Sequence, residues 1–450
     1  MKDKEEKKKK RFWFFGRKKA EEETQVKGEE EITETEETEE EAVPFVEPEP
    51  ELEPVDYYEF METTSKKMEI NKARVAGSWG EKRAARMIRD DSNALLGIPS
   101  RLEPFYSREF KGRPCFIVLG VLYAVCYALF CLSFASNGPF GIVLSLISVV
   151  GIILSWLFLF LLYVGYPSVQ KLLVKKVSYN VLSTIEPKEE CNRNLIISSN
   201  YDSQYGNHFK ISDKFRFWII ACSMFSILFF IVFNLLRIFL GAGNTTVIAV
   251  LIAVSAIICV PSILVLILTF SLNKNKVEEN NGFSTAVAMT VARYLIDEKK
   301  IPSDMRVSVV SFGGENAGHD GANAFVKRHA DTDMFKNATM INIGDIVERK
   351  YFVATVDPVH KHTFDEKLVD LAKEVAEAQG IELTCEGKNF GVLTGYAATA
   401  FDKAGVDSLT ISARDRNPFR EITEENEEIS DVVKDIFKLT VQIVEKISEE

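Results

Sequence analysis

Four long apolar segments divide this chain more sharply than any other feature of its sequence. Each exceeds or matches the roughly 20 residues that an α-helix needs to cross a bilayer. Short turns join the first segment to the second and the third to the fourth. The sequence therefore predicts two transmembrane hairpins, at 115–166 and 217–270. The hairpins separate three polar segments, at 57–112, 167–214 and 272–450.

Basic residues flank these hairpins on one side only. They precede the first and third apolar segments and follow the second and fourth, at Lys111, Arg113, Lys171, Lys175, Lys176, Lys210, Lys214, Arg216, Lys274 and Lys276. Because cytoplasmic loops carry the excess of Lys and Arg, both termini and all three polar segments are expected in the cytoplasm of a multi-pass plasma-membrane protein. Arg237, near a helix end, is expected to snorkel to the membrane surface.

Residues 1–56 are almost all charged, and their acidic part dominates the net charge of −11. Such a segment buries too little apolar surface to offset its chain entropy, so we expect disorder. The start of the tail carries Lys and Arg around the aromatic run 12–15, which is typical either of an anchor on anionic lipid or of a solvated tail. The sequence does not decide between these two interpretations. The first would make the lipid bilayer a partner of the tail.

The polar segments alternate between helical and extended patterns. Helices are predicted at 80–96, 284–295, 365–378, 399–404 and 429–447, and strands at 194–199, 306–312, 339–343, 351–355 and 409–412. Alternation of this kind predicts a three-layer α/β domain with a mixed central sheet. The first two polar segments are too short for cores of their own, so we expect them to complete the third.

Six phrases in this order resemble the zinc aminopeptidases of metallopeptidase family 28. They begin at Arg74 (a Gly-Ser-x-Gly phrase opening a helix), Asn200 (Asn-Tyr-Asp-Ser), Glu278 (Glu-Glu-Asn-Asn-Gly), Val310 (ending in Gly-Gly-Glu-Asn-Ala-Gly), Met340 (Asn-Ile-Gly-Asp) and Gly395 (ending in Phe401). The resemblance covers roughly residues 70–450 once the hairpins are set aside. It implies the three-layer aminopeptidase fold and, in typical members, two zinc ions.

The resemblance also assigns residues to the family's site. Its general base maps to Glu315, which is kept. Its five metal-ligand positions map to residues that are not zinc ligands, at Asn200, Asn280, Asn316, Gly344 and Ala398. Zinc prefers imidazole, thiolate and carboxylate ligands, so this mapping predicts a domain without zinc or another cofactor. Without a metal-bound water, Glu315 is expected to pair with a basic side chain or to cap a helix.

A rebuilt metal site is the alternative. Its substitute ligands would come from Asp202, Glu279, His319 and Asp345, with Glu278 and Asp320 nearby in the sequence. For Asp202 the plainer interpretation is a strand-end carboxylate with local hydrogen bonds, and for His319 a solvated histidine on a loop between glycines. His208, His329, His360 and His362 do not cluster with these positions in the sequence.

Other functions find less support. The seven cysteines show no paired spacing, so neither a metal nor a disulfide framework is predicted. Lys82, Arg83, Arg86 and Arg89 alternate with Ala and Met as on the outer side of a helix, so no nucleic-acid partner is predicted. The spans hold almost no ionisable groups, which argues against a transporter. We therefore expect a catalytically inactive, membrane-anchored aminopeptidase-like protein that binds a peptide or protein or acts as a scaffold, with an active zinc aminopeptidase as the alternative.

Overall fold

The computed structural model describes most of the chain beyond the charged tail. The described residues are 52–70, 73–108, 114–135, 138–163, 174–203, 213–240, 245–268, 282–316, 318–357, 362–386, 395–414 and 429–449. The predicted disorder of residues 1–56 falls almost wholly outside these ranges.

A mixed eight-stranded sheet forms the centre of the described polar segments. Its strand order is β1-β2-β4-β3-β5-β10-β6-β9, and β7 pairs with β8 separately. The strands are β1 (Arg101–Arg108), β2 (Lys175–Ile185), β3 (Arg193–Asn200), β4 (Met305–Phe312), β5 (Ala338–Ile346), β6 (Tyr351–Ala354), β7 (Val356–Asp357), β8 (His362–Thr363), β9 (Leu383–Glu386) and β10 (Asp407–Ala413). All three polar segments contribute strands, so their pieces build one sheet.

Helices cover both faces of this sheet. They are α1 (Tyr57–Ile70), α2 (Trp79–Leu96), α7 (Gly282–Asp297), α8 (Asp320–His329), α9 (Glu366–Gln379), α10 (Ala398–Asp402) and α11 (Ile429–Glu449). On one face, α1, α2, α7, α9 and α11 share an apolar core with the sheet. On the other face, α8 and α10 pack against Phe312, Met340 and their neighbours. The predicted three-layer α/β fold is confirmed.

The strands β3, β4, β5 and β10 run parallel at the centre, whereas β2 runs antiparallel to β4. The carboxyl ends of these four strands therefore meet at one edge of the sheet, which we call the carboxyl edge. The amino end of β2 lies at the same edge because Val181 pairs with Ser311 near the end of β4. Most functional side chains discussed below lie at this edge.

The periodic elements were predicted to within a few residues, but α1, β1, β2, α8 and the short strands β7, β8 and β9 were missed. β1 is an edge strand with Pro104 and several exposed side chains, so it lacks the continuous apolar run of a buried strand. α1 carries only Met61 and Met68 as buried apolar anchors. Such elements form through tertiary contacts rather than through a local pattern.

The four apolar segments are helices long and apolar enough to cross a membrane: α3 (Pro114–Ala135), α4 (Pro139–Tyr163), α5 (Asp213–Leu240) and α6 (Thr245–Leu268). They pack as two hairpins around a shared apolar cluster. Arg237 does not snorkel as expected. Its side chain is buried, donates from Nη2 to the Ser133 carbonyl at 2.7 Å and lies 5.1 Å from the centre of the Phe134 ring.

Candidate functional site

The carboxyl edge brings together most of the residues that the family resemblance singled out. Asn200 ends β3, Glu315 and Asn316 follow β4, and Gly344 lies near the end of β5. Ala398 begins α10, which packs on β5 and β10. The structure thus gathers four of the substituted positions and Glu315 at one edge, whereas Glu278, Glu279, Asn280, His208 and His360 lie outside the described residues.

Glu315 is buried in the turn between β4 and α8 and has two partners. Its Oε1 accepts the Ala322 backbone N–H at 2.7 Å, and its Oε2 lies 2.6 Å from Nδ1 of His319. Both expectations for this carboxylate are met, since it pairs with a basic side chain and caps the start of a helix.

His319 is not the solvated surface histidine that its glycine-flanked position suggested. Only 9% of it is exposed, and its backbone has φ 57°. Gly314 and Gly318 also have positive φ, so the chain turns tightly enough for the His319 N–H to reach the Glu315 carbonyl at 2.9 Å. The turn buries the His319 side chain, and the polarity of the neighbouring residues in the sequence does not predict this burial.

Asp202 ties the end of β3 to the same turn. Its Oδ2 accepts the Asn316 backbone N–H at 2.9 Å, and its carbonyl accepts from Nδ2 of Asn316 at 3.3 Å. The prediction of local hydrogen bonds for Asp202 was therefore wrong for this contact, because Asn316 lies 114 residues away in the chain. A carboxylate at position 316 could not donate to the Asp202 carbonyl as the Asn316 amide does.

Arg74 contacts the residues on either side of Asp202, Tyr201 and Ser203, and is almost completely buried. Its guanidinium donates to the carbonyls of Tyr201 at 2.7 Å and Met68 at 2.6 Å. Burial lowers the pKa of Arg74 to about 10, and the Asp202 charge opposes that shift. Arg74 therefore stays charged at neutral pH and balances the Asp202 carboxylate.

Asp345 has its own cation. Its Oδ2 lies 2.7 Å from Nη1 of Arg414, which follows β10. The neighbouring Gly344 leaves little room for a ligand side chain, because a Cβ there would lie 3.0 Å from the Ser412 Cβ. The Asp345 carboxylate at the end of β5 is therefore engaged in an ion pair within the protein.

Asn200 binds the flanking helix through its backbone, whose carbonyl accepts from the Thr285 hydroxyl at 3.2 Å. Its side-chain Oδ1 is buried and has no hydrogen-bond partner among the described residues. A buried acceptor of this kind is costly unless a ligand or water supplies a donor. Asn200 is thus a member of the site with spare hydrogen-bonding capacity.

Comparison with known proteins finds one matching family model and one curated relative. The model of peptidase family M28 matches residues 279–444. Residues 279–444 are therefore similar to the peptidases of family M28. The alkaline phosphatase isozyme conversion protein of Escherichia coli (strain K12) is 30% identical over 149 residues, which are 31% of this chain and 41% of that protein. The match therefore spans less than half of that relative.

Three solved structures are similar to the M28-like domain. A zinc aminopeptidase from Bacillus subtilis aligns with a TM-score of 0.48 at 14% identity, over 88% of this chain and 96% of that chain. An Acidobacteriales bacterium glutaminyl cyclase gives 0.46 at 10% identity, over 90% and 99%. An aminopeptidase from Aneurinibacillus sp. strain AM-1 gives 0.44 at 12% identity, over 86% and 93%.

One buried residue of the M28-like site was missed from the sequence. Glu81 accepts the Gly314 N–H at 3.0 Å and the Ser178 hydroxyl at 2.6 Å through Oε1, and the Gly77 N–H at 2.5 Å through Oε2. Burial raises the pKa of Glu81 to about 7. Ser78 and Glu81 fit the Ser-x-x-Glu capping pattern, which was the available signal.

The donor set of the described M28-like site does not suit zinc. Within the described ranges, no three His, Cys, Asp or Glu side chains are grouped so that they could hold a metal ion. The carboxylates of Asp202, Glu315 and Asp345 each accept from a group of the protein itself. A zinc ion on the engaged oxygen of Asp202 or Asp345, or on either oxygen of Glu315, would compete with such a contact.

Placing histidine at position 398 is expected to destabilise the domain. Ala398 is fully buried against Phe312 and Phe401, so an imidazole would overpack this core by about 1–3 kcal/mol. Urea denaturation of the full chain in detergent would measure the loss for Ala398→His. Ala404→His is the matched control, because Ala404 is exposed just after α10. Equal stabilities of the two variants would contradict this packing.

Proposed function

We propose that the chain is a membrane-anchored, non-hydrolytic M28-like protein that binds a peptide or protein segment through the carboxyl edge of its sheet. The observation that carries this proposal is the internal engagement of the carboxylates at the site. Glu315 contacts His319, Asp345 contacts Arg414, and Asp202 accepts from Asn316. In an enzyme with two zinc ions, carboxylates at such positions bind the metals or act on a metal-bound water.

The residues at the mapped ligand positions support the same proposal. Asn200, Asn316, Gly344 and Ala398 offer neither an imidazole nor a carboxylate. Asn316 instead uses its backbone N–H and side-chain amide to hold Asp202. The substitutions and their new contacts together fit a site that is stable without a metal.

Binding of a polypeptide is supported by the position and chemistry of the edge. Ligands of α/β sheets bind outside the carboxyl ends of the parallel strands. The buried Oδ1 of Asn200 needs a donor, which a peptide N–H supplies. The two hairpins would hold this edge at the cytoplasmic face of the plasma membrane, in the orientation that the flanking cations favour.

Metal analysis of the full chain in lipid nanodiscs tests the proposal. We expect far less than one zinc per chain after incubation with zinc, and no turnover of an aminoacyl reporter. Zinc binding by a variant with Asn200→His, Asn280→Asp and Ala398→His would support the mapping of these three ligand positions. About two zinc per chain in the wild type, with turnover, would refute the non-hydrolytic function.

An active zinc aminopeptidase with a rebuilt site is the second candidate. The contact between Glu315 and His319 favours it, because metal-binding histidines commonly pair with a carboxylate through their other ring nitrogen. Its substitute ligands would be Asp202, Glu279, His319 and Asp345. If this candidate is correct, His319→Ala abolishes both zinc and turnover, whereas under our proposal it changes neither.

A further inference from the structure

We propose that an aromatic and basic surface of the M28-like domain lies against anionic phospholipid headgroups, so that the candidate site opens at the membrane interface. We call it the interfacial surface and define it by Trp79, Tyr106, Arg108, Val174 and Lys175. The inference rests on the proposed membrane anchorage and adds to it a defined contact between the domain and the lipid.

The apolar members of the interfacial surface are unusually exposed. Trp79 is 79% exposed at the start of α2, Tyr106 is 66% exposed on β1, and Val174 is 61% exposed just before β2. Exposed apolar side chains that lie together commonly mark an interaction site. Trp and Tyr in particular are enriched where proteins meet the membrane–water interface.

Strand register places these residues at one end of the sheet. Tyr106 pairs with Val177, and Arg108 pairs with Lys175. Gly77, two residues before Trp79, lies so close to β2 that a Cβ there would be 2.3 Å from the Lys176 Cβ. The start of α2 therefore lies beside the amino end of β2.

The basic side chains form no ion pair with a carboxylate in the part of the chain that the structure describes, whereas the Arg108 backbone N–H donates to Oδ2 of Asp320 at 3.1 Å. Lys175 places its Nζ 5.8 Å from the centre of the Tyr106 ring, and the Nε of Arg108 has no hydrogen-bond partner there. Unpaired cations beside exposed aromatic rings match the charge of phosphate headgroups.

The chain itself brings this surface to the bilayer. β1 ends at Arg108 and α3 begins at Pro114, so the connection spans at most about 20 Å. β2, which follows the same hairpin, begins at Lys175 beside Arg108. A hairpin inserted in the membrane would hold the interfacial surface at its cytoplasmic boundary.

The candidate site shares this end of the sheet. β2 begins at the carboxyl edge, where β3 and β4 end with Asn200 and the turn to Glu315. With the interfacial surface on the headgroups, a ligand reaches the site along the membrane surface. The ligand class that fits is a polypeptide segment that leaves the bilayer, rather than a free peptide in the cytoplasm.

Quenching of tryptophan fluorescence by lipids brominated near the headgroup end of their chains tests the contact. The full chain is placed in nanodiscs of phosphatidylcholine and phosphatidylglycerol, and the Trp79 emission is obtained by subtracting Trp79→Phe from the wild type. We expect brominated lipid to lower this emission about two-fold, as for a side chain at the boundary of headgroups and acyl chains. Unquenched Trp79 emission overturns the proposal.

Two controls separate this outcome from a failure of membrane anchorage. Trp156 on α4 reports hairpin insertion through the variant Trp156→Phe, and its emission should be quenched. Glu190 is exposed at the opposite edge of the sheet, so Glu190→Trp in the Trp79→Phe background should stay unquenched. Quenched Trp156 with unquenched Trp79 overturns only the interfacial surface, whereas unquenched Trp156 overturns the anchorage as well.

The charge of the headgroups is tested separately. Wild-type Trp79 emission should be quenched more in discs that contain phosphatidylglycerol than in pure phosphatidylcholine. The double variant Arg108→Gln, Lys175→Gln should remove that difference. Equal quenching of the wild type in both lipids would refute the role of the anionic headgroups.

Discussion

Replacing Arg74 by methionine is expected to lower the free energy of unfolding of the domain by about 3–5 kcal/mol. Arg74 is almost fully buried, and its guanidinium donates to the carbonyls of Tyr201 and Met68. Methionine fills a similar volume but leaves both carbonyls without these donors. It also leaves the buried Asp202 carboxylate without the charge that balances it.

Urea denaturation of the full chain in detergent, followed by near-ultraviolet circular dichroism, measures this effect. Arg83→Met is the matched control, because Arg83 lies exposed on the outer side of α2 and should change stability by less than about 0.5 kcal/mol. Should Arg74→Met fail to fold, Arg74→Lys keeps the charge and is expected to recover part of the stability. Equal stability of the two methionine variants would contradict the structural role of Arg74.

The α/β class and most central elements were predictable because they depend on local patterns. The strand at Arg193–Asn200 and the helix at Trp79–Leu96 show the periodicities of a buried strand and an amphipathic helix. The four apolar helices were predictable from length and composition alone. The order of the six sequence motifs, rather than any single motif, indicated the resemblance to the family.

The interior of the site was less predictable, because its contacts join residues far apart in the chain. Asp202 meets Asn316 across 114 residues, and Glu81 meets Gly314 across 233. The burial of His319 depends on positive φ angles at Gly314, Gly318 and His319 itself. A sequence pattern reports which residue types are present but not which turn brings them together.

Glu81 combines a local pattern with a long-range contact. Its capping pattern is visible in the sequence, whereas the contact that its carboxylate makes between two turns is seen only in the fold. Its carboxylate joins the start of α2 at Gly77 to the turn after β4 at Gly314. Gly313 in that turn has no room for a side chain, since a Cβ would lie 2.8 Å from Oε1 of Glu81 and 2.7 Å from the Tyr201 hydroxyl. The position of Glu315 therefore depends on the buried Glu81 carboxyl group, which lies 233 residues from Gly314 in the chain.

The stability of the domain is accordingly expected to depend on pH through Glu81. Burial raises its pKa from 4.5 to about 7, while the hydrogen bonds from Ser178, Gly77 and Gly314 and the charge of Lys82 oppose that shift. Between these two pH values the folded state binds the proton that the unfolded state has released. The free energy of unfolding therefore falls as pH rises through this window, by about 3 kcal/mol in total.

The variant Glu81→Gln does not titrate, so its curve of unfolding free energy against pH isolates this contribution. Across pH 4.5 to 7 the wild type should lose about 3 kcal/mol more than Glu81→Gln. Glu62→Gln is the control, because Glu62 forms an exposed pair with Lys66 and should run parallel to the wild type. Parallel curves for the wild type and Glu81→Gln would show that Glu81 keeps an ordinary pKa. The turn that positions Glu315 would then not sense pH in this range.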